Sequence, residues 1–167
     1  VAELQTSVVQ ADIQAAKALG AQVVVVSLCW GKVGAAKPTD DQRRLAQEIA
    51  NAGADIILGT HGEAVQPVEL LTAERGDGHY HPTLCAYNLG NLFTYDRDKR
   101  AGLAGVLLHM TVMYDQTTQT VAFDDLRYTP TYCWRGREDG GQRYRVLRSG
   151  AADQPDYVSD DQRKVME

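Results

Sequence analysis

The sequence predicts an α/β fold, a short parallel βαβ portion followed by an antiparallel meander. Two apolar runs of strand length, at 23–28 and 54–58, each follow a stretch in which apolar residues recur at helical spacing. Each of those stretches closes on a glycine, Gly20 and then Gly53. Beyond Pro67 the helical spacing stops, and strand-length runs alternate with glycine-rich or polar turns.

The first helix begins at Thr6 or Ser7, either of which suits an N-cap, and runs to about Leu19 with Val8, Val9, Ile13 and Ala16 on its apolar side. Val23–Leu28 is rich in β-branched residues, which predicts a strand buried on both faces. Residues 29–38 form a loop holding Gly31, Gly34 and Pro38. Thr39 caps the second helix, with Asp40 and Asp41 in the first turn, where the helix dipole favours acids. Leu45, Ile49 and Ala52 give that helix its apolar face, and Ala54–Leu58 is the second buried strand. A helix of crossover length between two strands implies that they are parallel neighbours.

Val68–Ala73 and Thr83–Asn88 read as strands joined by the charged turn Glu74–Gly78. Gly102–Asp115 is a long strand, Gln116–Gln119 turns the chain, and Thr120–Trp134 returns it. Glu138–Gly141 reads as a hairpin tip leading into Gln142–Arg148. From Ser149 the composition turns polar, with a short helix expected from about Ser159. The boundary between body and polar tail falls at 149/150.

The chain has 167 residues, enough for one domain with its own core. Its hydrophobic content of 44% and charged content of 23% are those of a globular protein, not of a disordered or fibrous one. The net charge of -5, with no basic block, speaks against nucleic acid and against an anionic membrane surface as partners. No apolar run is long enough for a transmembrane helix. No signal peptide is visible at Val1, and the absence of an initiator Met leads us to expect a piece of a longer protein. The cysteines number three, Cys29, Cys85 and Cys133, with no CxxC pair, which rules out a four-cysteine zinc site and disfavours a disulfide framework. Cys85, inside an apolar run, reads as a buried small hydrophobe.

Chemistry concentrates where the two strands end. Asp55-Ile56-Ile57-Leu58-Gly59-Thr60-His61-Gly62-Glu63 delivers a histidine and a carboxylate just past one strand, and Cys29-Trp30-Gly31 follows the other. In α/β proteins such strand ends carry ligands, and His61, Glu63 and Cys29 could converge on a metal or a phosphate. His61 reads either as a ligand or as a loop histidine bonded to backbone. Glu63 is either an oxygen ligand for Mg, Mn or Zn or a solvated carboxylate. Cys29 reads as a packed neutral thiol, with a soft ligand as the alternative, and Trp30 as a packing residue or a platform at the rim. Asn88-Leu89-Gly90-Asn91 reads as a turn with positive φ at Gly90, the alternative being an amide pointing into the site. His79 and His81 read as surface histidines, His109 as a hydrogen-bonded sheet residue, and Arg97–Arg100 as a solvated charged turn.

The order of these motifs carries a resemblance. A Val-rich strand with Trp30-Gly31 comes first, followed by a helix with Gln42-x-x-x-Ala46. Next come Gly53-Ala54-Asp55-Ile56-Ile57-Leu58-Gly59, His61 ahead of Val65-Gln66-Pro67-Val68-Glu69, and Tyr87-Asn88-Leu89-Gly90-Asn91. Over roughly Ser7–Asp115 the chain resembles the C-terminal half of the CapA family of bacterial poly-γ-glutamate capsule biosynthesis proteins, which is related to the calcineurin-like metallophosphoesterases. The resemblance implies part of a four-layer α/β/β/α sandwich with a metal-centred crevice at the strand ends. In the family a His-Trp-Gly-x-Glu motif follows the first strand, but here it reads Cys29-Trp30-Gly31-Lys32-Val33. The family's Gly-x-His-x-His reads Gly59-Thr60-His61-Gly62-Glu63, so His61 and Glu63 are the metal-ligand candidates and the site is expected to be degenerate. The family's earlier metal motifs would lie ahead of Val1.

The function expected from this resemblance is polymer handling or assembly in capsule biosynthesis, at the cell surface in a membrane-anchored parent. The partners expected are an anionic polymer or cell-wall component, and either the family's N-terminal half or a second copy of the chain. The alternatives are an active divalent-metal phosphoesterase in a longer parent, with Mn, Mg or Zn as the metal, and a structural domain of unrelated role. The chain alone is expected to hold no cofactor and to be inactive.

Overall fold

The computed structural model describes residues 5–96, 100–150 and 154–166. Arg97, Asp98 and Lys99 of the charged turn lie outside them, while Arg100 opens a short 3-10 helix, Arg100–Leu103. The architecture is mixed α/β, with parallel and antiparallel strand pairs in two sheets.

Helix α1 (Thr6–Ala18) leads to β1 (Val25–Cys29), α2 (Asp40–Ala52) and β2 (Ile56–Thr60). The strands β1 and β2 pair in parallel, as a βαβ connection demands. A hairpin of β3 (Val68–Glu74) and β4 (Tyr80–Ala86) completes this sheet in the order β1-β2-β4-β3. The sequence assigns that hairpin to the meander. In the structure β4 instead lies parallel to β2, pairing Ile56 with Leu84 and Leu58 with Ala86. The meander proper is β5 (Ala104–Asp115), β6 (Thr120–Glu138) and β7 (Gly141–Arg148), a separate antiparallel sheet. Helix α3 (Asp160–Met166) follows.

The helix caps follow local chemistry. Thr39 accepts from the Gln42 amide while Gln42 Oε1 accepts from the Thr39 amide, a reciprocal capping box. Gly53 closes α2 at φ 118°, a conformation open to glycine. The start of α1 differs from expectation: Gln5 occupies the cap position, with no side-chain bond to the helix, and Thr6 lies inside.

One core joins Ile13 of α1 and Ala46, Ile49 and Ala50 of α2 to Val24, Leu28, Ile57, Cys85 and Tyr87 on the facing side of the first sheet. A second joins Tyr132, Trp134 and Leu147 to Val158 and Met166, so α3 packs on the second sheet. The expectation that the first strand is buried on both faces fails. It is an edge strand, and Val25, Ser27 and Cys29 on its far side are exposed, Val25 to 53%. The β-branched run reflects burial of alternate residues only, Val24 and Leu28 among them.

Candidate functional site

Because β1, β2 and β4 run parallel, their C-terminal ends share one edge of the sheet. The loops beginning at Trp30, His61 and Tyr87 therefore meet there. Trp30 donates its backbone N–H to Thr60 O at 3.3 Å, and Gly34 donates to Gly62 O at 2.8 Å, stitching the first loop to the second. Gln66 donates its backbone N–H to Asn88 O at 2.9 Å and so joins the second loop to the third.

Three buried side chains fix this meeting. Trp30 lies flat against Tyr87, with ring centroids 5.8 Å apart, and its indole N–H donates to Tyr87 O at 2.9 Å. It is a packing residue, the first of the two readings open to it. Gln66 Nε2 donates to Ala35 O at 2.9 Å, and Gln42 Nε2 reaches Gln66 Oε1 at 3.5 Å. Both glutamines are buried, and Gly31 rests directly on Gln42, where a Cβ would come within 2.9 Å of Oε1. Sequence reasoning assigned no role to these glutamines. The signal was present in the spaced motifs Gln-x-x-x-Ala and Val-Gln-Pro, since a polar residue written into an apolar pattern marks a buried hydrogen bond.

His61 lies one residue beyond β2 and is exposed, and Glu63 is half-buried. Both take left-handed backbone, φ 84° and 59°, on either side of Gly62. Non-glycine residues in that region carry strain of order 1–3 kcal/mol and cluster at functional sites. Cys29 pairs with Thr60 in the strand register, next to the same edge, but is exposed rather than packed. The Asn88–Asn91 segment is a turn: Asn88 Oδ1 accepts from the Gly90 amide at 2.8 Å, and Gly90 has φ 71°. The other end of the same amide, Asn88 Nδ2, is buried beside Gly62 with no partner. Asn91 donates to Gly102 O at 3.1 Å, outside its own turn. Among the described residues no three His, Cys, Asp or Glu side chains stand close enough to share one ion. His61 and Glu63 are therefore not a complete metal-binding set within them.

Beneath the edge, burial pushes the Cys85 thiol up to about 12, with the Glu69 carboxylate adding to it. Burial likewise pushes the Tyr87 hydroxyl up to about 12, with the Cys85 and Glu69 charges adding. At neutral pH both are neutral packing groups, and Cys85 is the buried hydrophobe its sequence context suggests.

The opposite edge holds a buried ion cluster that the sequence did not disclose. Asp55 is fully buried, accepts from the Val24 amide and Arg75, and has the Lys17 ammonium at 3.8 Å. His81 is buried, bonded to Asp77 at 2.7 Å, and not at the surface, while its neighbour His79 is exposed. Residue 79 precedes β4, and His81 lies within it. His109 is exposed in β5, with Thr129 Oγ1 at 3.4 Å.

A mixed α/β domain with three parallel strand ends stitched by buried polar side chains is one built to present loops at a single edge. The chain belongs to the family described as bacterial capsule synthesis protein PGA_cap, which matches residues 1–96. It is similar to the PGA biosynthesis protein CapA of Bacillus subtilis (strain 168), 39% identical over 77 residues, which are 46% of this chain and 18% of that protein. It is similar to the capsule biosynthesis protein CapA of Bacillus anthracis as well, 35% identical over 77 residues, 46% of this chain and 16% of that protein. The match thus spans less than a fifth of either curated relative. No helix among the described residues is long and apolar enough to cross a membrane.

Proposed function

We propose that this chain serves in the biosynthesis of a bacterial capsule polymer of the poly-γ-glutamate type, handling or assembling an anionic polymer at the cell surface. The observation that supports the reading best is the family match over residues 1–96, which takes in the β1, β2 and β4 ends and the glutamines that join them. The test is genetic. Deleting the coding region for these residues in the bacterium that carries it is expected to abolish surface polymer, measured as glutamate released by acid hydrolysis of washed cells. Undiminished surface polymer would overturn the reading.

A second reading, a divalent-metal hydrolase, is favoured by the strained backbone at His61 and Glu63 and by the unpartnered Nδ2 of Asn88 beside them. Here His61 and Glu63 would contribute two ligands to Mn, Mg or Zn, with further ligands from outside the described residues. Such a metal, when bound, activates water and polarises a phosphoryl oxygen. This chain's part would be to hold the histidine and carboxylate in fixed orientation. Substituting both His61→Ala and Glu63→Ala in the longer protein is then expected to lower its affinity for Mn by tenfold or more by calorimetry. An unchanged affinity would remove this reading.

A further inference from the structure

On the face of the second sheet that turns away from α3, the β6–β7 end carries three exposed arginines in a chain of net charge -5. Cross-strand partners point to the same side of a sheet. The pairs Thr131–Arg148, Cys133–Val146, Arg135–Tyr144 and Arg137–Gln142 therefore share one face, while Tyr132, Trp134 and Leu147 point to the α3 side. Arg135, Arg137 and Arg148 are exposed, and none of them forms an ion pair with a described residue. The nearby carboxylate Glu138 is on the α3 side, clamped by Arg145. Among the described residues the acids remaining near this end are Asp139, in the hairpin tip, and Asp96, next to Tyr95.

Aromatic rings stand next to the arginines. Tyr144, opposite Arg135, meets Tyr95 at 5.0 Å and Phe93 at 5.6 Å between centroids. Tyr95 is 72% exposed and Phe93 46%. The segment carrying them is held to the sheet at Thr94, whose N–H donates to Cys133 Sγ at 3.4 Å. From Arg137 to Arg148 the row extends about 20 Å along β6, at about 3.4 Å per residue. Guanidinium groups are planar forks that match carboxylates in bidentate fashion, and aromatic faces accept the methylenes between them.

We infer that this face binds a linear polycarboxylate, with Arg135, Arg137 and Arg148 taking successive carboxylates and the Phe93–Tyr95–Tyr144 rings taking the aliphatic segments. Three unpaired cations on a chain of net negative charge suit a flexible carboxylate polymer better than a dense phosphate backbone, which needs a larger basic surface. The surface residues of β6 and β7 lie beyond the 1–96 family match, so the site adds to the strand-end loops and does not restate them. The inference deepens the capsule-polymer reading by naming where the polymer would lie.

The probe is a fluorescein-labelled polyglutamate, γ-linked, titrated with the protein and read by anisotropy at low and at moderate salt. The unmodified protein is expected to bind, and to bind more weakly as salt rises. R135E/R137E is expected to weaken binding at least tenfold, and R135K/R137K to keep most of it. The control R143E/K164E changes net charge equally but alters residues on the α3 side and on α3 itself, and is expected to change binding less than twofold. Thermal melts verify that each variant folds. No binding by the unmodified protein, equal loss in the control, or tighter binding of polyphosphate than of polyglutamate would each overturn the inference. None of these outcomes bears on the deletion test, so the two proposals fail separately.

Discussion

The Trp30 indole N–H donates to the Tyr87 carbonyl at 2.9 Å directly over the Cα of Gly59. A Cβ at Gly59 would fall on both partners of that bond. The contact ties the ends of β1 and β4 across β2, so the strand-end loops depend on the absence of one methyl group.

Gly59→Ala is therefore expected to destabilise the fold by about 3 kcal/mol, the upper end of the usual overpacking cost, because one of the atoms in the way is backbone. The urea midpoint gives the measurement. A midpoint equal to that of the unmodified protein would mean that Trp30 and Tyr87 can move apart freely.

Asp55→Ala is expected to cost about 3–5 kcal/mol, because it leaves the Arg75 guanidinium, whose side chain is only 12% exposed, without its carboxylate. Equilibrium denaturation of the variant tests this. A loss below about 1 kcal/mol would show that Arg75 finds water or another acceptor.

Alkaline pH should destabilise the protein through Cys85 and Tyr87. Both folded values lie near 12, above the ordinary 9.0 and 10.0, so the folded state holds these protons more tightly than the unfolded chain. Their contribution is complete below about pH 9 and is lost as pH rises toward 12. Stability is thus expected to fall across that window, and Cys85→Ala to make the fall shallower. A flat stability profile from pH 9 to 11 would contradict the burial of these groups.

The chain by itself is expected to hydrolyse no p-nitrophenyl phosphate with Mn, Mg or Zn supplied. The reason is that no three ligating side chains converge among the described residues, and catalytic metal sites use about three protein ligands. Metal-dependent turnover above the reagent blank, abolished by His61→Ala, would show that the ligand set is complete after all.

Self-association is also expected. The outer side of β1 is open at Val25, and a cavity of about 390 Å³ between Val65, Val68 and Leu89 on one side and Val106, Leu108 and Leu126 on the other is almost wholly apolar. Sedimentation equilibrium should give a mass that rises with concentration. A monomer at all concentrations would mean that the second sheet closes the core well enough alone.

The sequence by itself determined the local features. The Thr39 cap, the Gly53 stop and the turn at Asn88–Asn91 rest on spacings within a few residues, where backbone sterics and short hydrogen bonds decide, while the β1–α2–β2 order and the family resemblance rest on periodicity and on motif order along the chain. Only the tertiary structure decided what depends on partners far along the chain. That β4 inserts beside β2, that β1 is an edge with one open side, and that Asp55 finds Arg75 and Lys17 follow from sheet order, which no local period encodes. His81 shows the same limit. Next to a glycine-rich turn it reads as a surface residue, yet pairing of β4 with β3 draws it inward against Asp77, because strand register and not local polarity sets which side chains are buried.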